Sequence, residues 1–198
     1  MTAPAYDAVV LAGGSGRRFG GDKTAALVDG VPLLDRVLCA VASANRRIVV
    51  GSQRPVRSEV IWTREEPAGG GPAAGVVAGL SHVRAPWTVL LAGDLPFVDA
   101  GTVGRLLGCG QGAVLVDAGG RRQQLSVAVS TDLLRARAGQ RDWTDVSMST
   151  LLAGLPLVEV PAAGDEAHDV DVPLDLPGAP RRDVGEAAAG TTVWVEGR

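Results

Sequence analysis

A glycine-rich, basic loop directly follows a short apolar strand near the start of the chain. Residues 8–24 read Ala-Val-Val-Leu-Ala-Gly-Gly-Ser-Gly-Arg-Arg-Phe-Gly-Gly-Asp-Lys-Thr. Glycine has no Cβ, so such a loop can adopt conformations in which several backbone amides point at one place. Arg17, Arg18 and Lys23 add positive charge beside those amides. Because charge-assisted hydrogen bonds are the strong ones, the loop predicts a site for a polyphosphate.

The loop lacks two better-known phosphate-binding patterns. The dinucleotide fingerprint Gly-x-Gly-x-x-Gly fails because, counting from Gly14, its last position is Phe19. The P-loop ends in Gly-Lys-Ser/Thr, whereas Asp22 stands here between Gly21 and Lys23. The sequence therefore disfavours a nicotinamide dehydrogenase and an ordinary P-loop ATPase. A flexible loop with solvated arginines is the remaining alternative, and it is disfavoured because loops that follow a buried strand in this way usually carry function.

The length and composition indicate one globular domain with a core of aliphatic side chains. The chain has 198 residues, of which 46% are hydrophobic and only 4% aromatic, and its formal net charge is −3. Such an acidic chain is not expected to present a broad nucleic-acid-binding surface. The first residues lack the features of a signal peptide, and no apolar run is long enough to span a membrane. We therefore expect a cytoplasmic protein that binds neither nucleic acid nor membranes.

Strands and helices alternate along the sequence, which is typical of βαβ units. Short apolar runs predict strands at about residues 7–11, 47–50, 60–63, 87–91, 113–116, 125–129 and 157–161. Helices are predicted at about residues 33–44, 76–83, 100–107, 131–138 and 149–153. We expect an α/β fold, a three-layer α/β/α Rossmann-like arrangement with a mainly parallel sheet. Residues 177–198 are expected to form a loosely ordered tail.

Polar residues and a second glycine-rich loop follow several predicted strands, where ligands bind in sheets of this kind. The Asp94 carboxylate suits Mg²⁺, and the alternative is a role in a turn or a helix cap. The second loop covers residues 67–75, and its Gly75 either presents backbone groups to a base and ribose or serves a strand-to-helix turn. Asp169 and Asp171 either complete a metal site, orient an acceptor, or lie in a solvated acidic loop.

The sequence offers no pattern of a catalytic nucleophile or a metal-binding histidine. Cys39 and Cys109 lie far apart, and Cys39 falls on an apolar helical stripe, where a buried structural thiol is expected. His82 and His168 have no partners in the pattern of a triad or a metal site. Chemistry must therefore rely on positioning and electrostatics, as it does in phosphoryl or nucleotidyl transfer. An acceptor phosphate, with a second pKa of about 6, is largely dianionic at neutral pH and needs no general base.

Four motifs follow one another along the chain. They are Leu-Ala-Gly-Gly-Ser-Gly-Arg-Arg-Phe-Gly-Gly-Asp-Lys at 11–23, Gly-Gly-Pro-Ala-Ala-Gly at 70–75, Gly-Asp-Leu-Pro-Phe-Val at 93–98 and Asp-Val-Asp-Val-Pro-Leu-Asp-Leu at 169–176. In this order and at this approximate spacing they resemble the molybdenum cofactor guanylyltransferases. That family belongs to the nucleotidyltransferases with the nucleotide-diphospho-sugar transferase fold. The resemblance implies a single nucleotidyltransferase domain over residues 1–176.

The resemblance also implies which residues form the site. The implied GTP-binding positions are Leu11, Ala12, Gly13, Gly14, Lys23, Gly51, Glu65, Gly75 and Asp94. Lys23 and Arg17 would act on the phosphates and Asp94 would bind Mg²⁺, so these three are the expected catalytic residues. Asp169 and Asp171 are the expected acceptor-binding residues, and Asp171 is a second candidate ligand of Mg²⁺.

Four positions named here depart from the family pattern. Gly51 stands where relatives often have Asn, so a side-chain contact would be missing there. Glu65, or alternatively Glu66, stands where relatives usually have Asp. The family pattern near the end is Asn-x-Asn-Thr-Pro-Glu-Asp-Leu, and here Asp169 and Asp171 replace both asparagines. These replacements leave the identity of the acceptor open.

The resemblance implies that the protein transfers GMP from GTP to the phosphate of molybdopterin or Mo-molybdopterin and releases pyrophosphate. Mg²⁺ is the implied cofactor, and transient contacts with molybdoenzymes or other cofactor-synthesis proteins are expected. Another nucleotidyltransferase of the same fold is an alternative, either a CTP-dependent molybdopterin cytidylyltransferase or an enzyme acting on a sugar phosphate or cobinamide phosphate. A GTP-binding partner protein of a molybdoenzyme, without turnover, is a further alternative.

Overall fold

The computed structural model describes residues 4–13 and 23–168, and of Lys23 it describes only the backbone. The strands are Tyr6–Leu11 (β1), Leu27–Val28 (β2), Val31–Pro32 (β3), Arg47–Val50 (β4), Ile61–Thr63 (β5), Trp87–Ala92 (β6), Gly112–Val116 (β7), Arg122–Ser130 (β8) and Leu157–Pro161 (β9). The helices are Leu33–Ala40 (α1), Gly71–Leu80 (α2), Ala100–Gly108 (α3), Thr131–Ala138 (α4) and Met148–Leu152 (α5), and a short 3-10 turn covers Lys23–Ala25. None of these helices is both long and apolar enough to cross a membrane.

Seven of the described strands form one sheet in the order β5-β4-β1-β6-β8-β7-β9. Strands β5, β4, β1 and β6 pair in parallel, and β7 pairs in parallel with β9. Strand β8 runs antiparallel to both of its neighbours, β6 and β7. The expected α/β fold with a mainly parallel sheet is confirmed.

The helices cover both faces of the sheet and create two apolar layers. Side chains of α1 and α3 pack on one face, and side chains of α2, α4 and α5 pack on the other. Strand β1 serves both layers, because Ala8 and Val10 point into the first and Val9 into the second. All three are fully buried, which explains why this strand is apolar without alternation.

Helix α2 begins at Gly71, whereas the sequence predicted a loop up to residue 75 and a helix only from 76. The glycines in this segment suggested a loop because glycine is a poor helix former. Instead they allow the helix to lie very close to the sheet. A Cβ on Gly75 would lie 3.3 Å from a methyl group of Leu11, and a Cβ on Gly79 would lie 2.6 Å from a methyl group of Val9.

The first helix corrects another prediction. Helix α1 ends at Ala40, short of the predicted residue 44, and Cys39 is exposed rather than buried. Leu38 and Val41 are fully buried and define the inward stripe. Each residue turns the direction of the side chain by about 100°, so Cys39 points away from the stripe although it adjoins it in sequence.

A small hairpin between the glycine-rich loop and α1 was not predicted. Strands β2 and β3 pair antiparallel around Asp29 and Gly30, whose φ angles are 50° and 74°. Two consecutive residues with positive φ, in an Asp-Gly sequence, are typical of a tight hairpin turn. The hairpin connects the 3-10 turn at Lys23–Ala25 to α1.

We expect Gly79→Ala to destabilise the protein by about 1–3 kcal/mol, because the new methyl group overpacks a fully buried site between α2 and β1. The nearby atoms belong to Val9 and Val50, which are β-branched, buried and unable to move aside. Gly104→Ala is the matched control, since Gly104 is exposed on α3 with nothing within 4 Å of a Cβ. That change should leave the free energy of unfolding in urea unchanged or raise it by up to about 1 kcal/mol. Equal stability of both variants would contradict the close packing of α2.

Candidate functional site

The carboxyl ends of four parallel strands meet in one crevice, and backbone hydrogen bonds extend the sheet pairing beyond them. The Ala12 amide donates to the Val50 carbonyl oxygen at 2.8 Å, and the Gly93 amide donates to the Leu11 carbonyl oxygen at 2.8 Å. The Gly51 amide donates to the carbonyl oxygen at the end of β5 at 2.9 Å. The first residues after β1, β4 and β6 are therefore held rigidly side by side.

The floor of this crevice requires glycine at two positions. Gly51 has a φ of 150°, and a Cβ there would lie 2.9 Å from the carbonyl carbon and oxygen of Ala12. A Cβ on Gly93 would lie 3.0 Å from the Leu11 carbonyl oxygen. Both residues are buried, so backbone atoms and not side chains form this part of the surface. Such a floor lets a ligand approach the backbone closely.

Three of the predicted nucleotide-binding residues lie at the carboxyl end of β1, beside this crevice. Leu11 ends β1, Ala12 is buried beneath Gly51, and Gly13 is exposed at the point where the described chain stops. The chain is described again from Lys23, the first residue of the 3-10 turn. Gly14 and Arg17 lie outside the described residues.

Asp94 follows Gly93 directly, two residues beyond the end of β6, and is half-buried. The structure thus places its backbone at the same edge of the sheet as Ala12 and Gly51. Among the described residues, no group of three or more His, Cys, Asp or Glu side chains could together hold a metal ion. Asp169 and Asp171, the other acidic candidates, lie outside the described residues.

Glu65 and Gly75 support the crevice from the side of α2. The Glu65 carboxylate accepts a hydrogen bond from the Gly69 amide at 2.9 Å and so holds the turn that leads into the helix. Glu66 is exposed. Gly75 lies within α2 and not in the loop, and its closest neighbours are the side chains of Leu11 and Val50. It therefore packs directly behind the first predicted nucleotide-binding residue.

Arg54 was missed by the sequence reasoning. It is half-buried in the segment after β4, and its guanidinium donates to the carbonyl oxygens of Ser52 and Ala12, each at 3.2 Å, and to the Thr24 hydroxyl. Thr24 is itself buried. An arginine in a polar segment carries no periodic signal, so only the fold brings it to the crevice.

Glu166 was also missed, and it fixes the chain that follows β9. Its carboxylate accepts hydrogen bonds from the Thr102 hydroxyl at 2.9 Å and the Ala163 amide at 2.9 Å, and it pairs with Arg105. Two residues further, the ring of His168 lies 6.2 Å from that of Phe97, in the loop that carries Asp94. The last described residues are thus fastened to the start of α3 and to that loop.

The environment of Glu166 lowers the pKa of its carboxyl group. Burial raises the pKa of this carboxyl, but the hydrogen bonds from Arg105, the Ala163 amide and Thr102 outweigh burial, so the pKa lies below its usual value. Nearby Asp99, which caps α3, also has a lowered pKa because it accepts a hydrogen bond from the Thr102 amide. Both groups are therefore charged at neutral pH and stabilise the contact in that form.

Residues 8–159 match the family model of the MobA-like NTP transferase domain. The chain belongs to this family. This result confirms the resemblance, and the matched residues contain the motifs at 11–23, 70–75 and 93–98 but not the one at 169–176. The matched region extends from within β1 to within β9 and includes the residues at the carboxyl ends of β1, β4, β5 and β6.

Individual relatives agree with the family, and solved structures share the fold. A probable molybdenum cofactor guanylyltransferase from Nostoc is 39% identical over 94 residues, which are 45% of this chain and 45% of the relative. The chain thus spans about half the length of that relative. Among solved structures, a nucleotidyl transferase from Methanothermobacter has a TM-score of 0.71 at 22% identity. The superposition covers 86% of this chain and 94% of that chain. Molybdopterin-guanine dinucleotide biosynthesis protein A from Archaeoglobus fulgidus has a TM-score of 0.67 at 21% identity, with coverages of 85% and 94%.

We expect Glu166→Gln to lower the free energy of unfolding at pH 7 by about 2 kcal/mol, because charge-assisted hydrogen bonds are lost. A carboxyl whose pKa is lowered by folding stabilises the protein above its unfolded pKa and loses this effect as the pH falls. The difference between wild type and variant should therefore shrink between about pH 5 and pH 3. Urea unfolding across this range measures it. The control is Glu159→Gln, which removes an exposed pair with Arg122 and should cost less than about 1 kcal/mol at any pH. A pH-independent cost for Glu166→Gln would contradict the assignment.

Proposed function

We propose that the protein is a Mg²⁺-dependent guanylyltransferase that transfers GMP from GTP to the phosphate of molybdopterin or Mo-molybdopterin. The observation that carries this proposal is the crevice in which the backbone after β1, the glycine after β4 and Asp94 after β6 converge. Its side-chain-free floor suits a nucleotide that must lie close to the backbone. Similarity to a probable molybdenum cofactor guanylyltransferase supports GTP as the donor and molybdopterin as the acceptor.

In the proposed reaction an oxygen of the acceptor phosphate attacks the α-phosphorus of GTP in line. The new bond joins that oxygen to the α-phosphorus, and the bond from the α-phosphorus to the bridging oxygen breaks as pyrophosphate leaves. The acceptor phosphate is largely dianionic at neutral pH, so the protein need not remove a proton. The protein's task is therefore to orient two anionic partners and to neutralise charge.

Lys23 and Arg17 are the cations proposed to act on the triphosphate. Lys23 is the only lysine among 19 basic residues, and all the others are arginines. A lysine ammonium is a compact point charge, whereas arginine presents a planar fork, so the two are not interchangeable at a phosphate. The position of the only lysine, at the end of the phosphate-binding motif, supports a role that needs this group.

Asp94 is the proposed ligand of Mg²⁺. A carboxylate fits this metal, which at nucleotide sites takes one or two protein carboxylates and fills its remaining positions with phosphate oxygens and water. When bound, Mg²⁺ would neutralise phosphate charge in the transition state. Asp171 is the second candidate ligand, and together with Asp169 it is proposed to contact the acceptor.

The test of the proposed function is pyrophosphate release with each of the four nucleoside triphosphates and Mg²⁺, with and without molybdopterin. We expect release only with GTP and acceptor together. Release with CTP instead would identify a cytidylyltransferase for the same cofactor. Release that requires a sugar phosphate or cobinamide phosphate would identify a different acceptor. GTP binding without transfer to any acceptor would favour a binding partner of a molybdoenzyme and would refute the enzyme.

We expect Asp94→Ala and Lys23→Ala to retain the fold but to lower turnover by about 100-fold or more, because each removes charge stabilisation of the transferring phosphate. Lys23→Arg should recover little of the loss despite its charge. Asp132→Ala is the control, since Asp132 is an exposed carboxylate on α4, which follows the antiparallel strand and starts at the opposite edge of the sheet. Near-normal turnover of the Asp94 or Lys23 variant, with circular dichroism and urea unfolding as checks on folding, would refute the assigned roles.

A further inference from the structure

The guanidinium of Arg54 connects the two ends of the glycine-rich segment. Its Nη2 donates to the carbonyl oxygen of Ala12, where the chain leaves β1, and its Nη1 donates to the hydroxyl of Thr24, where the chain returns. Its Nε donates to the carbonyl oxygen of Ser52 in its own segment, at 3.2 Å. One side chain after β4 therefore joins the end of β1 to the turn that begins with Lys23.

The chemistry of these contacts requires an arginine. A guanidinium has five N–H donors in a fixed planar fork, so it can serve three acceptors in different directions at once. Thr24 is only 8% exposed, and a buried hydroxyl needs a hydrogen-bond partner. A lysine at position 54 would carry the same charge, but its single ammonium could not span the same three oxygens.

We propose that Arg54 is a positioning residue for the nucleotide triphosphate, which acts by fixing the backbone at Lys23 relative to Ala12. In this proposal the backbone next to Ala12 and the ammonium group of Lys23 bind the same triphosphate. The distance between Ala12 and Lys23 therefore decides whether both groups reach it. This inference rests on the proposed nucleotidyl transfer. Arg54 acts on Lys23 through Thr24, so the positioning of Lys23 needs the hydroxyl of Thr24 as much as the guanidinium of Arg54.

The first experiment compares GTP-dependent transfer in four variants. Arg54→Met and Thr24→Val should each lower kcat/KM for GTP by about 10- to 100-fold, the size expected from misplacing a reacting group. The kcat/KM of Arg54→Lys should be close to that of Arg54→Met. Thr24→Ser keeps the hydroxyl, so its kcat/KM should be close to that of the wild type. The double variant of Arg54→Met and Thr24→Val should be no worse than the poorer single variant, because both remove the same contact.

Arg57→Met is the matched control. Arg57 lies three residues further along the same segment, and its side chain is 71% exposed and forms a loose ion pair with Asp35 at 3.8 Å. The hydrogen bond from the Arg57 amide to Asp35 is retained in the variant. This variant should remain within about twofold of wild type, since exposed pairs contribute little.

The second experiment measures Lys23 itself and does not depend on catalysis. The chain has one lysine, so reductive methylation with ¹³C-formaldehyde labels Lys23 and the terminal amine, which titrate at different pH and are thereby distinguished. Without nucleotide, the methyl resonances of Lys23 should move in Arg54→Met and Thr24→Val but not in Arg57→Met. Inorganic tripolyphosphate should shift the wild-type resonance at a concentration about tenfold or more below that needed for Arg54→Met.

The outcomes separate this inference from the proposed function. The inference is overturned if Arg54→Met stays within twofold of wild type both in kcat/KM for GTP and in the tripolyphosphate concentration that shifts the Lys23 resonance. Restoration by Arg54→Lys, with no effect of Thr24→Val, also overturns it and indicates that the charge of Arg54 acts directly on the ligand. If wild type transfers no nucleotide at all, the proposed function fails. The shift of Lys23 by tripolyphosphate then decides the positioning role alone.

Discussion

The contact between the backbones of Ala12 and Gly51 is the constraint on which the rest of the site depends. The Ala12 amide is bonded to the end of β4, and the space above the Ala12 carbonyl group has no room for a Cβ on Gly51. Neighbouring strands can therefore end level with each other and present peptide groups instead of side chains. On the face of the sheet that α2 covers, Gly75 allows the helix to press against the side chains of Leu11 and Val50. Backbone hydrogen bonds between the strand ends and this helix packing together hold the crevice in place.

The sequence predicts the scaffold well wherever local pattern and burial agree. The bounds of β4, β9 and α4 match the predicted ranges, because apolar runs and helical stretches there are bordered by clear breaks. Helix α2 began earlier than predicted because its packing against the sheet outweighs the low helix propensity of glycine. The burial of Cys39 was predicted wrongly, since one residue of helical rotation separates a buried from an exposed side chain.

The site was predictable only in the residues that carry its motifs. Asp94 could be named because it follows an apolar strand, and the ends of parallel strands share one edge. Ala12 and Gly51 were named because the resemblance to the family implies them. Arg54 and Glu166 could not, because each acts on residues far away in sequence, 42 positions for Arg54 and Ala12, and 64 for Glu166 and Thr102. Local pattern carries no information about such pairs. Both are polar residues in irregular segments, where most arginines and glutamates are simply solvated.

The antiparallel direction of β8 within the described seven-stranded sheet decides which segments end at the same edge. Strand β8 reverses the chain direction between β6 and β7, and the parallel pair β7 and β9 restores it. Strand β9, at the far side of the sheet, therefore ends at the same edge as β1, where the chain has turned towards Phe97 by residue 168. The chain after β9 thus returns to the edge of the sheet at which β1 ends. An early and a late segment of the sequence in this way share one edge of the described sheet.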